Sequence, residues 1–181
     1  MPTYRYVFFD LRGRGEIARL CFHAAGVKFE DVRFDHDSWK DKHTSPFGKL
    51  PYLEIDGKKF AQSIAIAQYI AREYGKLLKI ILTYNAVHNV MNRFIKSSFE
   101  QTAQFNMVAW AKSINNVILI YLNIILQLTL ADLKVYTTLE NSFQEFPDVY
   151  TKYPQVVANR KKVGSQPRLA AYLSSRKTTP R

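Results

Sequence analysis

One cysteine, Cys21, serves the whole 181-residue chain, so no disulfide can close within it and a reducing, cytoplasmic compartment is expected. Acidic side chains are also scarce: 15 Asp and Glu stand against 26 Lys and Arg, a formal net charge of +11. The surplus is uneven, because residues 1–75 hold 12 basic and 10 acidic groups and residues 76–181 hold 14 and 5. Such a balance attracts anions. No dense Lys/Arg run with interleaved aromatics accompanies it, so anionic small molecules suit the chain better than nucleic acid. Long apolar runs are missing as well. The longest, Val117 to Leu130, is about 14 residues with Asn123 and Gln127 inside it, whereas a membrane span needs about 20, so no membrane partner is expected. Arg5 falls where the apolar core of a signal peptide would have to begin. His36 and His43 have no cysteine or further acid at metal-ligand spacing, and no metal is expected.

What is present is concentrated between Pro46 and Ser63, in PFGKLPYLEIDGKKFAQS. Tyr52 to Ile55 alternates in polarity, Asp56-Gly57 follows, and a second short strand comes after. An Asp-Gly pair between two such runs signals a hairpin, because both turn residues must tolerate positive φ. Pro51 cannot donate to a sheet ladder, which puts it at a strand start and allows a cis bond there. The backbone of Leu50 would then face outward, free to pair with something extended such as a peptide. Ser63 reads as the N-cap of a helix in which Ile66, Tyr69, Ile70 and Tyr74 share one side. Two roles stay open for it: a cap alone, or part of a carboxylate site at the helix start.

Upstream, Tyr4 to Phe9 is rich in aromatic residues and predicts a first strand. After Asp10-Leu-Arg-Gly-Arg-Gly-Glu16 comes a helix with Ile17, Leu20, Cys21 and Ala24 on one face, stopped by Gly26. At that spacing Cys21 is a packed core thiol rather than a reactive one. Lys28 to Phe34 predicts a second strand. Gly13-x-Gly15-x-x-Ala18, with Asp31, Asp35 and Asp37 further on, also matches a dinucleotide-binding fingerprint. A Pro-led strand and tight hairpin follow instead of further parallel crossovers, which counts against that rival. Arg14 then reads as a cation at a helix start that can orient a carboxylate. Trp39 lies in the polar stretch His36 to Ser45 and offers an N–H and a ring face.

Beyond Gly75 the pattern is helical: Ala86 to Ala103, Phe105 to Leu126, Leu130 to Phe146, Gln155 to Val163 and Arg168 to Ser174. Thr129 and Asp132 have the form of a capping box. Pro147, Pro154, Gly164 and Pro167 punctuate the end of the chain. The expected architecture is a small α/β domain over 1–75 and an all-helical domain over 76–181.

MPTYRYVFFDLRGRGEIARL, the Trp39 loop, PFGKLPYLEIDG and AQSIAIAQYIAREYG together resemble the N-terminal domain of sigma-class glutathione transferases, the group that includes haematopoietic prostaglandin D synthase and the S-crystallins. LTLADLKVY, KYPQVVANRKKV and PRLAAYLSSR resemble the end of that family's helical domain. The resemblance implies a thioredoxin-like glutathione-binding domain followed by a helical domain that builds the electrophile pocket. It also implies glutathione as co-substrate, small apolar electrophiles as partners, a homodimer, and a part in glutathione metabolism and detoxification. Position by position it implies that Arg14, Trp39, Lys49, Leu50, Pro51, Gln62 and Ser63 hold glutathione. Leu50 would pair its backbone with the cysteinyl part, ahead of a cis-Pro51. Gln62 and Ser63 would take the γ-glutamyl carboxylate, and Trp39 and Lys49 the glycyl end, with help from Lys42 or His43.

Two departures bear on chemistry. Where the family places the tyrosine whose hydroxyl donates to the glutathione sulfur, this chain has Phe8. A free thiol has a pKa of about 8.5, so without a donor little thiolate forms at neutral pH. The resemblance therefore implies a transferase of weak activity, with Phe8 and Arg14 at the catalytic positions, or a binding protein of S-crystallin type. Tyr6 lies on the same side of the strand but ~7 Å back, too far to replace the missing hydroxyl. The stretch from 76 to 128 is also unlike the family and leaves the helical domain short.

Overall fold

The structure is a computed structural model that describes residues 2–35, 39, 45–74, 108, 111–116, 118 and 128–179. By packing, the chain divides into two units, 1–76 together with 167–181, and 77–166.

The first unit is built on a four-stranded sheet. Strand β1 (Tyr4–Phe9) leads through a 3-10 turn (Gly13–Gly15) into helix α1 (Glu16–Ala25), and β2 (Glu30–Phe34) follows. A second 3-10 turn (Pro46–Gly48) precedes β3 (Tyr52–Ile55) and β4 (Lys58–Ala61), and α2 (Ser63–Glu73) comes next. The strand order is β2-β1-β3-β4; β1 runs parallel to β2 and antiparallel to β3. A dinucleotide-binding sheet would continue with parallel crossovers after β2. Here an antiparallel hairpin follows, so the Gly13-x-Gly15-x-x-Ala18 match lacks the context it needs.

The local signals act as physical chemistry demands. Asp56 and Gly57 both take positive φ, 47° and 82°, which turns β3 into β4. Gly26 ends α1 at φ 69°, with its N–H donated back to His23. Strand alternation puts Tyr4, Tyr6 and Phe8 on the face of β1 that meets α1. Tyr4 and Tyr6 pack against Phe22, and Tyr6, Leu20, Phe22, Leu53, Ile66 and Ile70 are all essentially fully buried. Each such side chain contributes about 1.5–3 kcal/mol through removal from water. Cys21 belongs to this core, and burial pushes its thiol well above the usual range, so it packs and does not react. β2 begins at Glu30 rather than Lys28; its first residue pairs with Arg5 of β1, and the two side chains lie 3.3 Å apart.

The second unit includes α3 (Leu130–Glu145), α4 (Pro147–Thr151) and α5 (Pro154–Gly164). The capping box at the start of α3 is complete: the Asp132 N–H donates to Thr129 Oγ1 at 3.1 Å, and the Thr129 N–H donates to Asp132 Oδ2 at 2.8 Å. The same carboxylate accepts from Asn159 and pairs with Lys162 at 2.9 Å, so it also ties α5 to α3. Pro147, read above as punctuation alone, opens the short helix α4, as its fixed φ and missing N–H permit at a first helical position. Residues 111–116 are helical. Most of the two helices expected at Ala86 to Ala103 and Phe105 to Leu126 lies outside the described residues.

Helix α6 (Pro167–Ser175) belongs by contact to the first unit and not to the helical one that chain order suggests. Tyr172 donates to Glu16 at 3.1 Å and stacks on His23 at 4.0 Å, and Arg176 pairs with Glu16 at 2.7 Å. Arg168 donates to the Ala25 carbonyl at 3.1 Å. Among the described residues, no helix is long and apolar enough to cross a membrane.

Candidate functional site

The ends of three segments of the first unit converge on one open cleft. The 3-10 turn before α1 supplies Arg14, the stretch leading to β3 supplies Lys49, Leu50 and Pro51, and the β4–α2 junction supplies Gln62 and Ser63. All six are among the residues that the sequence singles out. The Leu50–Pro51 peptide is cis and leads directly into β3, whose first residue Tyr52 is opposite Ala61 of β4.

The β4–α2 junction differs from its sequence-based expectation in one respect. Gln62, not Ser63, occupies the N-cap, and Ser63 is the first helical residue. Gln62 has φ 75° and ψ 109°, a conformation that costs a non-glycine residue about 1–3 kcal/mol. It is held there by β4 on one side and on the other by the Ile66 N–H, which donates to its carbonyl at 2.9 Å. Gln62 contributes no side-chain cap, so its amide and the Ser63 hydroxyl are not spent on closing the helix. The first-turn N–H groups of an 11-residue helix carry the positive end of its dipole. Arg14 and Lys49 add two cations, and among the described residues no carboxylate lines the cleft. The cleft is thus electropositive and bounded by extended backbone on one side and a helix start on the other. That suits an anionic, peptide-like ligand.

Phe8 and Trp39 are not among the residues that line this cleft. Phe8 is buried, its ring packed so closely on Gly15 that a Cβ there would overlap it, with the Arg19 guanidinium 5.7 Å from the ring centre. Trp39 lies edge-on to Phe9 at 5.6 Å. Lys42 and His43 lie outside the described residues. Tyr6 offers no substitute hydroxyl: it is fully buried, and its O–H donates to the Gly15 carbonyl at 3.0 Å.

Sequence reasoning missed Pro46, Phe47 and Ala61 in the lining. Phe47 is the notable one, 81% exposed with φ 59°. Only the oddity of a large aromatic inside a Pro-Phe-Gly turn could have flagged it. Among the described residues no cluster of three or more His, Cys, Asp or Glu side chains is placed to hold a metal ion.

Comparison with known proteins gives the chain its family. The family description "Glutathione S-transferase, N-terminal domain" matches residues 5–72, and "Glutathione S-transferase, C-terminal domain" matches residues 88–176. The chain is similar to Glutathione S-transferase 1 of Ascaris suum, 43% identical over 110 residues, covering 60% of this chain and 53% of that one. It is 54% identical over 76 residues to Hematopoietic prostaglandin D synthase of Gallus gallus, covering 41% and 38%. In these two alignments the chain spans about half or less of the relative's length. It is also 30% identical over 209 residues to Probable glutathione S-transferase gst-36 of Caenorhabditis elegans, covering 99% and 100%. That aligned length exceeds the 181 residues present here, in keeping with a shortened chain. Among solved structures, a Nu-class GST from Haemonchus contortus (TM-score 0.84, 28% identity, 99% of each chain) and the Fasciola hepatica sigma class GST (TM-score 0.82, 26% identity, 99% of each chain) share the fold. A thioredoxin-like sheet with a cis-prolyl entry to β3, a helical unit after it, and end-to-end similarity to such a relative lead to one assignment: the chain belongs to the glutathione S-transferase family.

Proposed function

We propose that the chain is a sigma-type glutathione transferase that binds reduced glutathione in the Arg14–Ser63 cleft and joins its sulfur to small apolar electrophiles. The observation that carries this reading is the convergence of Arg14, Lys49, Leu50, Pro51, Gln62 and Ser63 on one electropositive cleft. The start of α2, with Gln62 and Ser63, takes the γ-glutamyl carboxylate. The Leu50 backbone pairs with the cysteinyl residue, and Lys49 holds the glycyl carboxylate, with Trp39 beside it. In the reaction the thiol gives up its proton and the sulfur attacks an electrophilic carbon. With Phe8 at the position of the family's tyrosine, no hydroxyl there assists that ionisation, and Arg14 and the start of α1 supply the remaining positive potential. Turnover is therefore slow. A homodimeric, cytoplasmic protein fits the same reading.

A second reading, a glutathione-binding or structural protein without useful turnover, is favoured by the lack of a hydroxyl at Phe8, which is buried against Gly15. Titration of the chain with reduced glutathione tests both readings. Saturable binding that is lost in the double variant Gln62→Ala/Ser63→Ala supports the cleft; retention by the double variant discredits it. Conjugation to an aryl halide then separates the two. Phe8→Tyr is expected to raise the rate by about 10²–10³-fold, the usual worth of one donor to a reacting anion. Measurable wild-type turnover supports the transferase, and turnover in Phe8→Tyr alone supports the binding protein.

A further inference from the structure

We propose that Arg19 is the positioning residue of the glutathione cleft: buried beneath the turn that carries Arg14, its guanidinium holds that turn in the shape the ligand meets. The inference rests on the function proposed above. Arg19 sits on α1 and is completely buried, yet it lines no cavity at the site. Its Nη1 donates to the Leu11 carbonyl at 2.8 Å and its Nη2 to the Phe9 carbonyl at 3.2 Å. Its Nε donates to both Asp31 oxygens, at 3.0 and 3.1 Å. Leu11 lies between the end of β1 and the 3-10 turn that presents Arg14, and Phe9 is the residue where β1 ends. One rigid fork therefore ties the loop to α1 and to β2 at once. Asp10, in the same loop, is held in parallel by Arg33 at 3.0 Å, and Arg33 shares Asp31 with Arg19.

The other side of the guanidinium is walled in. The rings of Tyr6 and Phe8 lie 5.8 and 5.7 Å from its central carbon, and Glu16 stands 3.6 Å from Nη1. Taking a cation this far from water is expensive, and a well-packed apolar residue often serves stability as well or better. What an apolar residue cannot do is hold two loop carbonyls and a carboxylate in one plane. A lysine cannot either, since its single ammonium lacks the planar fork. Arg14 is exposed and reaches the cleft from the loop that this fork anchors. A shift of about 1 Å in a positioning element can cost on the order of 10²-fold in function, so the shape of the loop is where a buried arginine acts.

The test uses the full chain and reduced glutathione. Dissociation constants and thermal midpoints are measured for the wild type, Arg19→Lys, Arg14→Ala and the double variant. Arg19→Lys, folded by circular dichroism, is expected to weaken binding at least tenfold. The loss caused by Arg14→Ala is expected to shrink to less than half, in log units, in the Arg19→Lys background, because the loop no longer presents Arg14 to the ligand. A role in stability alone would lower the midpoint and leave that coupling at zero. Should Arg19→Lys fail to fold, Asp31→Asn takes its place. It keeps the guanidinium but removes the charge that fixes its plane, and it is expected to weaken binding about threefold with the same reduced dependence on Arg14. Wild-type affinity in a folded variant, or an Arg14→Ala loss of equal size in both backgrounds, overturns the inference alone. Absence of saturable binding by the wild type overturns the proposed function and this inference with it.

Discussion

Gly15 is the residue on which the approach to the cleft turns. Its φ of −82° is open to any residue, so what requires glycine here is space: the Phe8 ring fills the volume a Cβ would take. Gly15→Ala should therefore destabilise the first unit by about 1–3 kcal/mol, the usual cost of overpacking. In a Phe8→Ala background the same change should cost little, and urea unfolding of the four proteins in that cycle measures the difference. Sequence alone places Gly15 in a turn but says nothing of the ring above it. His23 carries a second residue-level expectation. Burial beside Tyr172 and Phe29 lowers its pKa below the ordinary 6.5, and Arg33 acts in the same direction while Asp31 and Glu16 oppose. The unfolded chain then binds more protons than the folded one as pH falls through 6.5, so stability is lost in that direction. Thermal midpoints should drop between pH 7.5 and pH 5.5, and His23→Gln should flatten the drop.

Among the elements, α3 has its start written most fully in the chain. Thr129 and Asp132 satisfy each other's backbone N–H groups, and both side chains are buried. Thr129→Ala should cost about 1 kcal/mol through loss of the cap, lowering the thermal midpoint by about 2–4 °C. A serine at the same position should restore most of it. Helix α2 shows the opposite case. Its apolar spacing is plain in Ile66 and Ile70, but its cap position is not, because a glutamine at φ 75° is a conformation that no local preference selects. The strand before it and the helix after it impose that geometry. The Asp56-Gly57 turn and the Gly26 stop were legible for the reverse reason: each needs a positive φ that the local residues supply.

On the scale of the whole molecule, the chain leaves its first unit at residue 76 and rejoins it at 167. Glu16, 2% exposed, depends on that return, because Arg176 and Tyr172 of the final segment bind its carboxylate. Arg176→Ala should leave Glu16 short of its nearest cation and destabilise the first unit by on the order of 3 kcal/mol. Thermal unfolding followed through Glu16→Gln, Arg176→Ala and the double variant checks this; the double variant should be more stable than Arg176→Ala alone. Taken by itself, the sequence determined the hairpin, the place of Pro51 at the head of β3, the capped start of α3 and the Gly26 stop of α1, and it singled out the six residues that meet in the cleft. Those features follow from turn chemistry, periodicity and a family resemblance carried by short motifs. Only the tertiary structure decided that the Phe8 ring fills the space over Gly15, that Arg19 is buried beneath the Arg14 loop, and that the last helix lies against α1. Burial and charge pairing between residues up to 160 positions apart are set by where the chain returns, and no local preference encodes that.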